Sequence, residues 1–188
     1  MTQAFALFPT EIGLCGVIWD EVGLTGVLLP EISEAASRAR IAKRHPVAVE
    51  TVPTGMAAVA VERIRTLMVE GNTTLIDLTL NMQGLSPLLK RIYAVTRAIK
   101  PGATRTYGQI AKEVGADPRS VGQAMGRNPW PIVVPCHRVM GSDGKLVGFS
   151  AHGGLATKLK LLAIEKALIS EAPGLFDEIG GLPIGIRD

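Results

Sequence analysis

Residues 4–9, 13–19 and 23–29 are short, almost wholly apolar runs set off by turn residues, and they read as three strands. Pro9-Thr10-Glu11 and Asp20-Glu21 supply turn residues ahead of the second and third. From Ser33 to Arg44 the pattern becomes helical and basic, and it stops before Pro46. Met56, Val59, Ala60, Ile64, Leu67 and Met68 recur at helical spacing, predicting a helix over 56–70 that Gly71 terminates. A further strand is expected over 75–80. None of these segments gathers reactive side chains, and His45 beside Pro46 reads as a loop residue. Residues 1–84 are therefore expected to form an α/β scaffold.

The character changes at Ser86-Pro87, a cap followed by a first-turn proline, after which Leu88, Ile92, Val95 and Ile99 form an apolar stripe ended by Pro101-Gly102. Thr106-Tyr107-Gly108-Gln109 has the form of a capping box opening a short helix to Gly115. Asp117-Pro118 opens another through Met125, so helix, short turn and helix follow one another as in a helix-turn-helix. Two features of the second helix are unusual. Gly122, Ala124 and Gly126 are small, although interior glycines cost a helix about 1 kcal/mol each. Either tight packing on the neighbouring helix or close approach to an outside surface would favour them. Arg119 lies in the first turn, where the helix dipole disfavours a cation, so a task outside the protein would account for it.

The apolar run Ile132-Val133-Val134 reads as a strand, is bracketed by Pro129, Pro131 and Pro135, and leads into Cys136-His137. A thiol is a useful nucleophile as thiolate, and an imidazole that takes its proton is a common way to make one. In extended chain the two side chains would point apart, so the backbone must turn sharply after Pro135 for them to cooperate. Asn128 is a suitable anchor for that turn. Downstream, 141–144 reads as a turn, 145–150 as a strand, 152–154 as a loop and 155–169 as a helix placing Lys158, Leu161, Leu162 and Glu165 on one face. Glu165, taken alone, reads as solvated.

Composition narrows the classes. Of 188 residues 47% are hydrophobic and mean hydropathy is +0.27, but no apolar stretch approaches the roughly 18 residues of a membrane span. With no basic-then-apolar leader at the N-terminus, a soluble intracellular protein is expected, cytoplasmic or, in a eukaryote, nuclear. Two cysteines and three histidines, without paired spacing, give neither a disulfide framework nor a metal site, and Cys15 reads as core. No metal and no cofactor is expected. Residues 1–84 carry 6 Lys/Arg against 9 Asp/Glu, residues 85–165 carry 12 against 4, and 166–188 carry 2 against 4. The basic excess thus shares a segment with Cys136, and a phosphate-bearing partner is the natural candidate.

Thr106-Tyr107-Gly108-Gln109-Ile110-Ala111, Arg119, Gly122, Ala124-Met125, Asn128-Pro129, Pro131 and Pro135-Cys136-His137-Arg138-Val139 together resemble the O6-alkylguanine-DNA alkyltransferases, also called methylated-DNA–protein-cysteine methyltransferases. The resemblance is specific over about residues 86–165. It implies a ribonuclease-like α/β domain over 1–84 and a mainly α, winged-helix-like helix-turn-helix domain over 85–170; residues 171–188, with four glycines and two prolines, read as a poorly structured tail. It implies direct reversal of DNA damage, with Cys136 accepting the alkyl group of O6-alkylguanine, and of O4-alkylthymine as a further substrate, once per molecule. His137 would act as base through a water, Glu165 would orient it and Asn128 would brace the turn. Tyr107, Ser150, Lys158 and Val139 would surround the substrate. Arg119 would replace the extruded nucleotide in the stack, with Ser120, Gly122, Gln123, Ala124 and Arg138 also meeting the DNA. The implied partner is double-stranded DNA carrying alkylated bases, contacted through its minor groove by a monomer, with no membrane involved. The loop 148–154 is longer than the family pattern, which bears on lesion preference. The competing class is a non-catalytic lesion sensor or helix-turn-helix regulator in which Cys136 is inert; a cysteine hydrolase is a third, although its Cys and His are normally far apart in sequence.

Overall fold

The first three strands are β1 (Gln3–Thr10), β2 (Gly13–Trp19) and β3 (Leu24–Leu28), joined in antiparallel register with Phe5 opposite Ile18 and Gly16 opposite Leu28. The computed structural model describes residues 2–149 and 151–167. A short strand that the hydrophobic pattern did not mark, β4 (Ala48–Glu50), pairs parallel to β1 and completes the order β3-β2-β1-β4. Successive side chains of a strand point to opposite faces, so these continuous apolar runs give the sheet two apolar faces. Phe5, Ile18 and Leu28 meet Ile41 of α1 (Glu34–Arg44), a helix capped by Ser33. Ala6, Phe8, Cys15 and Val17 join the main core with Ala60, Val61, Ile64 and Leu67 of α2 (Gly55–Glu70). Cys15 is fully buried there, and burial pushes its thiol up to about 11.

The expected strand over 75–80 does not form. Leu75 and Leu78 are buried, but only an isolated bridge between Leu24 and Leu80 remains. The reason is competition for carbonyls: the Arg97 guanidinium takes those of Leu75, Ile76 and Leu78 at 3.2, 2.8 and 2.7 Å, and Arg63 takes that of Thr74. A backbone curled around cations cannot present a ladder edge.

Most of the remaining elements are helical. Ser86 caps α3 (Pro87–Arg97) by accepting from the Leu89 amide. The reciprocal Thr106–Gln109 capping box opens α4 (Tyr107–Val114), which Gly115 ends in left-handed conformation at φ 66°. Asp117 caps α5 (Pro118–Gly126), so three residues separate two mutually packed helices. A two-stranded parallel pairing of β5 (Arg105–Thr106) with β6 (Val139–Met140) fastens the start of α4 to the chain after the Cys-His pair. The last described helix, α6 (Gly154–Ile164), ends earlier than the expected 169, with Glu165 at its C-cap. Gly71, at φ 73°, lies where a Cβ would stand 2.0 Å from the Ile164 carbonyl oxygen, so this glycine lets α2 meet the end of α6. The expected strand over 145–150 is absent from 145–149, and the tail over 171–188 lies outside the described residues. No described helix is long and apolar enough to cross a membrane.

Candidate active site

The run 132–134, read as a strand from its composition, is instead a tight turn. Ile132 sits at φ 74° and the Val134 amide donates to the Trp130 carbonyl at 2.7 Å. Proline at 129, 131 and 135 removes the donors that a strand would need, so apolar content here buys burial without a ladder. A β-branched residue at positive φ is strained, and the surroundings hold it. Asn128 donates to the Val134 carbonyl at 2.8 Å and accepts from the Trp130 amide at 2.9 Å. Trp130 is buried edge-on against Tyr93, and its indole N–H donates to the Leu24 carbonyl at 2.7 Å. The Val27 amide donates to the Pro129 carbonyl at 2.8 Å, so the segment hangs on the free edge of β3.

After Pro135 the chain coils into one 3-10 turn, Cys136–Arg138, which is the sharp bend that cooperation between neighbours requires. His137 is fully buried and its Nε2 lies 2.9 Å from Glu165 Oε1. The same carboxylate accepts from Arg138 Nε at 2.8 Å and Nη2 at 2.7 Å, while Arg138 Nη1 donates to the Ile99 carbonyl at 2.5 Å. Burial pushes the Glu165 carboxyl up, but the hydrogen bonds and charges of His137 and Arg138 outweigh it and hold the group at about 2. An ionised carboxylate only accepts, so the proton between the two side chains sits on Nε2. Burial keeps the imidazole below its usual range against the opposing pull of Glu165, leaving it neutral at pH 7. Its Nδ1 therefore carries a lone pair, and that atom is buried without a hydrogen-bond partner among the described residues.

Cys136 is buried, and burial raises its thiol; the Asn128 amide, the charge of Lys158 and the amides of Cys136 and His137 pull the other way. The net rise means that the resting thiol keeps its proton and needs a base. The Tyr107 hydroxyl is also raised, by burial and then by Cys136, so it remains a donor. The sulfur borders a hollow of about 510 Å³ lined by Tyr107, Gly122, Met125, Gly126, Val147, Gly148 and Phe149. This arrangement offers a nucleophile and a proton donor on the wall of one cavity, with a neutral base held by a carboxylate buried at the position next to the nucleophile.

A family model described as the 6-O-methylguanine DNA methyltransferase DNA-binding domain matches residues 87–167. A methylated-DNA–protein-cysteine methyltransferase of Mycolicibacterium paratuberculosis is 44% identical over 109 residues, 57% of this chain and 64% of its own, so the chain spans just under two thirds of that relative. The crystal structure of Mycobacterium tuberculosis OGT in complex with DNA superimposes with a TM-score of 0.69 at 31% identity, covering 87% of this chain and 92% of that one. The namesake methyltransferase of Methanothermobacter thermautotrophicus is 33% identical over 151 residues, 80% of this chain and 78% of its own. The chain belongs to the methylated-DNA–protein-cysteine methyltransferase family.

In this member of the methyltransferase family several expected site residues sit elsewhere than the sequence suggested. Arg138, expected at the DNA, is 5% exposed and gives three of its five N–H groups to Glu165 and the Ile99 carbonyl, so burial keeps it from meeting a phosphate. Ala124, also expected there, is 4% exposed on the inner face of α5, where its carbonyl accepts from the Tyr93 hydroxyl. Val139 is fully buried, borders neither hollow beside the thiol, and its carbonyl accepts from Lys158 Nζ at 2.6 Å. Lys158 is likewise buried rather than facing substrate; it joins the Val139 and Val147 carbonyls, and burial lowers it to about 8. Ser150 lies outside the described residues. Glu165, solvated on its own showing, is instead buried.

Arg119 and Gln123 are exposed, Gly122 is half-buried, and Ser120 is half-buried with its hydroxyl on Asp117. A Cβ at Gly122 would meet only Tyr107, at 4.0 Å, and one at Gly126 nothing within 4 Å. Packing on a neighbouring helix therefore does not require these glycines. Met125, Val147 and Phe149 line the hollow, yet no signal in the sequence separates them from ordinary core residues.

Proposed function

We propose that the protein repairs DNA directly, by a single irreversible transfer of an alkyl group from O6 of guanine, or O4 of thymine, to Cys136. The observation that carries this reading is His137 fixed by Glu165 and Arg138, with its Nδ1 left without a partner among the described residues, directly after a Cys136 on the wall of a cavity. Through a water, Nδ1 takes the Cys136 proton. The thiolate attacks the alkyl carbon, the S–C bond forms as the C–O bond breaks, and the electron pair passes to the base. Tyr107 donates to the departing base, which leaves neutral. Glu165 keeps the imidazole in the productive tautomer, and Arg138 holds Glu165 ionised. The other cysteine, Cys15, is sealed in the sheet core, so the thioether has no second thiol to accept the group.

The substrate is double-stranded DNA approached from the minor groove by α5, with Arg119 entering the stack and Ser120, Gly122 and Gln123 beside it. The names of the relatives and the DNA-bound structure support this partner. The finer fold description belongs here too: a ribonuclease-like unit over 1–84, a winged-helix-like unit over 85–170, and a cytoplasmic monomer. The test is intact mass after incubation with O6-methylguanine duplex. A gain of one methylene that Cys136→Ser abolishes is expected; tight binding with unchanged mass would leave only a lesion sensor.

A further inference from the structure

Cys136 borders a second hollow, of about 300 Å³, on the side facing the sheet. Its charged lining comes from both halves of the chain: Glu31, Arg40, Arg44 and His45 from around α1, and Arg127 from the C-cap of α5. One carboxylate faces three guanidiniums, an excess of two positive charges, even though residues 1–84 as a whole are net negative. Glu31 accepts from Arg40 Nη1 at 2.7 Å, but Arg40 Nε is buried with no partner among the described residues. Arg44 is lowered by burial and then by the charge of Arg40, its neighbour one turn back on α1, so two like charges share this wall of the cleft. His45 is lowered by burial and then by Arg44, and its Nδ1 meets Gln3. A cation in the last turn of a helix is favoured by the dipole, which accounts for Lys43 equally well. The dipole does not account for guanidiniums from separate elements converging on one cavity with a donor unspent. Planar donors converging on a cavity suit a bidentate oxyanion.

We propose that this cleft is a phosphate site, formed by Arg40, Arg44 and Arg127 and adjoining the nucleobase hollow, with which it shares Met125, Gly126, Cys136 and Phe149. The choice of phosphate rests on the repair reading, since a nucleotide extruded beside Cys136 brings backbone phosphates on both flanks. A free phosphate compound offers the same chemistry, and the test separates the two sources.

Wild type and Arg44→Ala, a change at an exposed position of the last turn of α1, are compared in two titrations. In the first, affinity for undamaged duplex is followed from about 50 to about 200 mM salt; a seated backbone phosphate makes the slope of log K against log salt shallower by about one in the variant. In the second, inorganic pyrophosphate is added without DNA; a site for free phosphate gives a rise in Tm that the variant loses. Either result supports the site and names its source, and equal slopes together with equal pyrophosphate responses overturn it. Transfer from free O6-alkylguanine, which has no phosphate, stays equal in the two proteins. A variant that loses it places Arg44 in the chemistry and overturns the proposal. A wild type that transfers nothing refutes the repair reading and leaves both titrations informative.

Discussion

The acceptor segment, 128–139, and the outer face of α5 lie on either side of the same hollow and are built on opposite terms. In the first, polar groups are committed: Asn128 to Val134 and Trp130, Trp130 to Leu24, His137 and Arg138 to Glu165. In the second, Arg119 and Gln123 are exposed, and a Cβ at Gly126 would meet open space. Under the proposed function, the difference separates chemistry from recognition. A thiol that must be deprotonated on demand needs a base held in one tautomer, which satisfied, buried neighbours provide. A surface that must meet a long polyanion keeps its donors and its closest backbone unspent until the partner arrives.

Glu165→Gln tests the committed side most severely. The change leaves the buried Arg138 guanidinium without its counter-charge, and a loss of about 3–5 kcal/mol in urea unfolding at pH 7 is expected. Its pH dependence has a definite sign. The folded carboxyl titrates at about 2 against an ordinary 4.5, so its contribution is complete above about 4.5 and fades as pH falls towards 2. Wild type should lose stability through that window while the variant changes less; parallel curves would mean that Glu165 is not held ionised by the fold.

Arg119→Ala acts on the uncommitted side. Transfer from duplex DNA should fall tenfold or more, about 1.4 kcal/mol at the threshold, while transfer from free O6-alkylguanine base stays unchanged. Equal losses on both substrates in single-turnover assays would show that Arg119 supports the protein rather than the opened stack. The smallest effect is expected from Gly126→Ala. With nothing within 4 Å of the new methyl, the protein should become more stable by up to about 1 kcal/mol, while duplex affinity drops. A destabilised variant would reveal a packing role after all.

How far the chain could be read without a structure differs by the range of the interactions involved. Ser86, Thr106 with Gln109, and Asp117 announce their helices because a cap and the amide it accepts from are three residues apart. The strands at 13–19 and 24–28 are legible as short apolar runs between turn residues, since a strand covered on both faces must be apolar throughout. The segment 75–80 was misread because its carbonyls go to Arg97, about twenty residues on, and no local pattern reports a distant cation. The run 132–134 was misread for a related reason: apolar content says that residues are buried, and only the surroundings say in which conformation.

By itself the sequence determined the nucleophile and its neighbours, the helix starts and the presence of a basic half, all consequences of residues close in the chain. The tertiary structure decided what those charges are for. Arg138 and Lys158 count towards the basic excess but are buried against Glu165 and backbone carbonyls, whereas Arg40 and Arg44, from the acidic half, face a cleft beside the thiol. The reason is physical: whether a charge meets solvent, a counter-charge or a cavity depends on what folds over it, and in this chain the decisive contacts join residues as far apart as Leu24 and Trp130.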